Sequence, residues 1–217
     1  MKNTIGEGNA GDEKIAERMT RESWIAAAVV TLTSESIDQV KIQVIAKALG
    51  VSRSSFYWFF TDLKDLHHEL LQHWLRKNTD PIIDRATRPA RTVTEAVCNV
   101  FECWIDPALF DPRLDAAIRF WGQVDADIHA IVDHADDRRV QAIAEMFSRF
   151  DYPQNEAFIR ARVLYFTQVG HFMLGIREDR ETRLSYLRSY LLSFTGRPPL
   201  DDEVNTFSAL MRRLQPA

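Results

Sequence analysis

Cysteine is scarce in this sequence: of 217 residues only Cys98 and Cys103 carry a thiol. Five apart on a segment of helical pattern, they point in different directions, which argues against a disulfide between them. Two reduced thiols suit a cytoplasmic setting. Long apolar runs are missing as well. The longest, Trp24–Val30, reaches Leu32 only across Thr31, far short of the roughly 20 residues that a bilayer crossing needs, so no membrane partner is expected. The opening stretch MKNTIGEGNAGDEKIAERM has no apolar centre of the kind a signal peptide carries. Rich in Gly, Asn, Asp and Glu, residues 1–19 read as a flexible arm. No Gly-rich phosphate loop, Gly-x-Ser-x-Gly elbow or His-Glu-x-x-His occurs, so no catalytic motif and no cofactor is expected. Alternating strand patterns, internal repeats and low-complexity tracts are absent too, and the fold class is read as all-α. Nor is there an excess of positive charge: the net charge is −4, which permits binding to an anionic partner without arguing for it.

What the chain does have is a helical hairpin near its start. In Ile42–Phe60, IQVIAKALGVSRSSFYWFF, the residues Ile42, Ile45, Ala46 and Leu49 fall on one face of a short helix. Gly50 stands where a left-handed residue ends such a helix. Ser52 is placed to cap a second helix, which would bury Phe56 and Phe60 and leave Arg53, Ser54, Tyr57 and Trp58 outside. From Gln39 to Thr61 there is no acidic residue, whereas Lys41, Lys47 and Arg53 all lie there. A face of small polar, basic and aromatic side chains suits a DNA major groove and its phosphates. Arg53 and Ser54 are candidates for base edges or nearby phosphates. Tyr57 and Trp58 would hold the backbone, sugars or thymine methyls. Ser52 and Ser55 would hold a phosphate at the helix N-terminus, and Lys41 and Lys47 would add charge against the backbone. Flanking helices are expected at Thr20–Ser34, capped by Thr20, and at Thr61–Lys77, capped by Thr61 or Asp62.

At IAKALGVSRSSFYWFFTDLKDL the chain resembles the tetracycline-repressor (TetR) family of bacterial one-component regulators. The resemblance rests on Ile45, Ala46, Gly50, Val51, Ser52, Phe56, Tyr57, Phe60 and Leu66 and covers about residues 20–70. Phe59 and Leu63 depart from the family's common His and Lys. The resemblance implies a helix-turn-helix DNA-binding domain over residues 20–65. It implies a helical domain for ligand binding and dimerisation over residues 66–217. The activity it implies is that of a repressor, released from double-stranded operator DNA by a small-molecule effector.

The remaining sequence reads as helices with breaks at a linker bracketed by Pro81 and Pro89, its first part open to continuing the exit helix, and at Asp106–Pro112 and Gly196–Pro199. Asn155–Ile176 and Thr182–Thr195 carry apolar residues over a wider arc than one core needs. Phe158, Val169, Phe172, Met173, Leu187 and Leu191 are therefore expected at a homodimer interface, the two helices packing on their symmetry mates as a four-helix bundle. Gly170 and Gly175, inside that pattern, suggest close helix approach. An effector pocket among the C-terminal helices, implied by the resemblance, could draw on Trp74, Phe101, Trp104, Phe120, Trp121, Tyr165, Phe166 and His171, with Gln123 or Gln168 as further polar handles. A helical-bundle enzyme or metal-binding protein is the alternative. Its candidates are His129 with Asp133 and His134, and His67, His68, Glu69 and His73. A solvated helix face explains both groups as well, and no metal site is assigned.

Overall fold

A computed structural model describes residues 19–214; the arm expected over residues 1–19 lies almost wholly outside them. The described residues contain helices and no strand. They fall into two compact units, one ending at Trp74 and the other beginning at Leu75.

The first unit is built on α1 (Arg21–Ser34), α2 (Ile42–Leu49) and α3 (Leu63–Trp74). Thr20 caps α1 by accepting from the Ser23 amide, and the Ser23 hydroxyl answers on the Thr20 amide, so two otherwise unpaired donors are satisfied. Trp24, Ile25, Ala28 and Leu32 form the buried face of α1. They meet Ile45, Ala46, Phe56, Phe60 and Leu66 in one small core, with Trp24 edge-on to Phe56 at 5.4 Å. Arg21 ties the unit's start to its end. Its guanidinium lies 4.5 Å from the centre of the Phe60 ring and donates to the Phe59 carbonyl, Asp65 and Glu69.

A π turn, Leu75–Thr79, opens the second unit and runs directly into α4 (Asp80–Thr87). Pro81 explains the widened turn: it has no N–H to donate, and its ring would press on the carbonyl four residues back in a regular helix. The segment expected as a linker is thus largely helical, with Ile82 and Ala86 buried. There follow α5 (Val93–Ile105), α6 (Pro112–Gly122), α7 (Ala126–Ser148), α8 (Gln154–Met173), α9 (Arg180–Thr195) and α10 (Asp201–Leu214). Thr92, Asp111, Asp125 and Asp179 cap four of them with side-chain oxygens on the free amides of the first turn. Helix α8 stops at Met173, three residues short of the expected end. Gly175 adopts φ 62°, outside the helix, so it ends α8 rather than admitting a neighbour. Gly170 is inside α8, and a Cβ there would meet nothing within 4 Å.

The core of the second unit contains an ion network that the sequence pattern did not disclose. Arg139 of α7 is fully buried. It donates to the Thr79 hydroxyl, to Asp115 and Asp136, and to the Tyr165 hydroxyl at 2.7 Å. Arg119 grips Asp136 with both terminal nitrogens at 2.8 Å and reaches Asp115 with Nε. Two arginines and two aspartates balance in charge, and every partner is hydrogen-bonded, which is the condition under which burying charge is tolerated.

Candidate nucleic-acid interface and effector cleft

The turn between α2 and the segment that follows it is set by Gly50, at φ 70°. Its amide reaches the carbonyls of Ala46 and Lys47, and the Val51 amide reaches Ala46. Beyond it, Arg53–Trp58 is a six-residue 3-10 stretch rather than the expected capped α-helix. The amide of Ser55 bonds to the Ser52 carbonyl and that of Phe59 to Phe56, each three residues back. The Ser52 hydroxyl makes no cap. It lies 2.8 Å from the Ser54 hydroxyl and 3.0 Å from that of Ser55.

The division into faces is sharp. Phe56 is fully buried and stacks on Phe60 at 5.1 Å, whereas Tyr57 and Trp58 are 56% and 67% exposed. Arg53, Ser54, Ser52, Lys41 and Lys47 are exposed as well. Ser55 is buried, so its hydroxyl is turned to Ser52 and not to solvent. Two features support the segment from behind. Asp62 caps α3 through the Asp65 amide, while Asp65 accepts from the Thr61 amide and from Arg21. The Thr61 N–H, and then Arg21, hold the Asp65 carboxyl below its ordinary pKa against partial burial.

In the second unit a cleft of about 70 Å³ opens between α5, α8, α9 and α10. Phe101, Phe194 and Phe207 form its aromatic wall, and Gln168, His171, Glu178 and Arg183 supply its polar groups. Burial first, and then the charge of Arg183, holds His171 below the usual histidine range; Glu178 pulls the other way with less effect.

The sequence pattern described as bacterial regulatory proteins, tetR family, matches residues 25–70, the span from the core of α1 to the middle of α3. Residues 25–70 thus carry the tetR-family pattern. Over the whole chain the likeness is one of fold. A tetR-family transcriptional regulator of Mesorhizobium loti is 17% identical, with a TM-score of 0.58, covering 88% of this chain and 95% of its own. One from Streptomyces coelicolor is 18% identical, with a TM-score of 0.55, covering 98% and 92%. No curated protein matches. TetR-family regulators bind DNA and small molecules, and the match over residues 25–70 supports a DNA-binding regulator.

With the tetR-type domain in place, the other expected positions can be located. Phe101 and His171 line the cleft, as does Gln168. Trp104 packs edge-on to Phe101 at 5.1 Å. Tyr165 is occupied in the buried ion network, and Trp121 is buried. Phe120 and Phe166 are exposed. Trp74 is buried at the end of the first unit. Of the positions expected between protomers, Leu187 and Leu191 are buried within the chain and line the cleft. Phe172 stacks on Phe110, and Val169 and Met173 are half-buried. Phe158 is exposed, in company with Ile159, Val163 and Phe166 on α8 and Tyr186, Tyr190 and Leu192 on α9. Of the two histidine groups, the one on α7 is exposed, whereas His67 and His73 on α3 are half-buried. His129 sits 3.4 Å from Asp133 with both well exposed, and Glu69 is held by Arg21. Both cysteines are buried, which pushes each thiol up to about 12.

Sequence reasoning missed Arg21, the Asp115–Arg119–Asp136–Arg139 network and the pair Glu178 and Arg183. The spacing of Asp115 from Arg119 and of Asp136 from Arg139 was visible, but such pairs are usually solvated, and only the packing turns these inward.

Proposed function

We propose that this chain is a homodimeric repressor that leaves a near-palindromic operator when a small molecule enters the cleft of its second unit. The observation that carries the reading is the face made by Arg53, Ser54, Tyr57 and Trp58. It is exposed, lies over the buried Phe56 and Phe60, and belongs to a stretch without acidic residues. Arg53 and Ser54 read base edges or adjacent phosphates. Tyr57 and Trp58 brace the backbone and the thymine methyls, and Lys41, Lys47 and Ser52 add backbone contacts. The exposed apolar residues of α8 and α9 support dimerisation, since a patch of this kind is rarely left to water. A dimer sets two reading faces about one DNA turn apart, which asks for a symmetric site. Release requires only that the effector prefer the arrangement that does not fit the operator, by about 1–3 kcal/mol.

Selection of genomic fragments by the purified protein tests the reading. Wild-type protein is expected to enrich one short palindromic site at moderate salt, and the Arg53→Ala/Tyr57→Ala double variant none. Enrichment by both, or by neither, contradicts the role given to this face.

A further inference from the structure

Taking the cleft as the effector site of the proposed regulator, we infer that it binds a small monocarboxylate. Gln168 Nε2 and Arg183 would receive the carboxylate, and an apolar ring or short chain would lie against Phe101, Phe194 and Phe207. The first argument is an incomplete hydrogen bond. Gln168 is only 7% exposed, and its Nε2 is buried without a partner. A buried donor left unpaired costs about 1–3 kcal/mol, and this one belongs to a residue lining the cleft. The site therefore asks for an acceptor.

The second argument is charge. Arg183 lines the same cleft and makes no ion pair among the described residues. A guanidinium pairs most readily with a planar, two-oxygen anion. Glu178 is the one carboxylate lining the cleft, on the connection between α8 and α9, and its influence at His171 is smaller than that of Arg183. An amine would be repelled by Arg183. A neutral amide would leave the guanidinium unmatched. A dianion would bring a second negative charge toward Glu178 with only one arginine to meet it.

The third argument is shape. Phe101 lies 5.7 Å from Phe194 and 6.3 Å from Phe207, forming a wall suited to one ring or a short chain. The cleft volume of about 70 Å³ has room for roughly five waters at about 15 Å³ each. That is the scale of the ring of a benzoate or the short chain of a hexanoate.

The test is calorimetric titration of the full chain with benzoate, hexanoate, benzamide and benzylamine, beside binding of the same protein to its selected DNA fragment. At least one acid is expected to bind ten times or more tighter than the amide and the amine. Arg183→Gln and Gln168→Leu should each weaken that acid at least tenfold. Gln168→Leu, relieved of an unpaired amide, should unfold at no lower temperature than wild type, which separates a binding role from a folding one. The inference is overturned if neither acid binds at millimolar concentration, if the amide or amine binds as tightly, or if both variants keep wild-type affinity. DNA binding with no acid binding would leave the regulator reading standing and this inference fallen. Acid binding without DNA binding would do the reverse.

Discussion

Asp65 holds the reading segment from behind by accepting from the Thr61 amide and from Arg21. Because its folded pKa is lowered, the stability it adds is present above the unfolded value of about 3.9. That contribution is lost as pH falls through the lower folded value. Asp65→Asn is therefore expected to lower the unfolding temperature of the first unit at pH 7. The gap from wild type should shrink as the buffer is taken from pH 5 toward pH 2; a gap constant over that range would contradict the assignment. In the second unit, Tyr165→Phe removes the hydroxyl that accepts from Arg119 and Arg139 and donates to Asp136. It should cost about 2 kcal/mol in a denaturant titration, the penalty for leaving buried charged groups short of a partner. A cost near zero would mean that the arginines are satisfied without it.

At the scale of elements, the loop at Gly50 gives a clean case. A Cβ there would touch nothing within 4 Å, yet the backbone is at φ 70°. Gly50→Ala should then destabilise by conformational strain alone, about 1 kcal/mol, and circular dichroism melts would register it without loss of helix content. How much of this was legible in the sequence follows the same physics. Gly50, the Thr20 cap, the buried Phe56 and Phe60 and the exposed Tyr57 and Trp58 could all be read. Each depends on local spacing or on a backbone angle that one residue type prefers. The 3-10 form of Arg53–Trp58 could not be read, because i+3 and i+4 bonding use the same residues. The inward turn of Asp115, Arg119, Asp136 and Arg139 was hidden as well, since charged pairs at those spacings fit a solvated face equally well. Leu187 and Leu191 were assigned to a partner because α9 is apolar on several sides; packing gives those two to the chain itself and leaves Tyr186, Tyr190 and Leu192 outside.

At the scale of the whole molecule, the proposed regulator consists of two copies of the chain. Ile159, Val163, Phe166 and Gly170 recur at helical spacing along α8, and the three large ones are exposed. Gly170 stands in open space, where a second helix could approach closely. Val163→Glu/Phe166→Glu should give a monomer by sedimentation with unchanged helix content, because these side chains carry little of the core. The same variant should lose most operator affinity, since a single reading face gives up the second half-site. A variant that stays dimeric would move the interface elsewhere.

The proposed function stands or falls on whether Arg53–Trp58 reads DNA. Binding isotherms on the selected fragment test it most directly, for wild type and for Tyr57→Ala, with the sedimentation of both proteins measured alongside. The expected result is at least a tenfold loss of affinity for Tyr57→Ala with the dimer and its unfolding temperature unchanged, because Tyr57 is exposed and its ring is not part of the buried core. Wild-type affinity in Tyr57→Ala, or weakened binding that merely accompanies loss of the dimer, would contradict the claim.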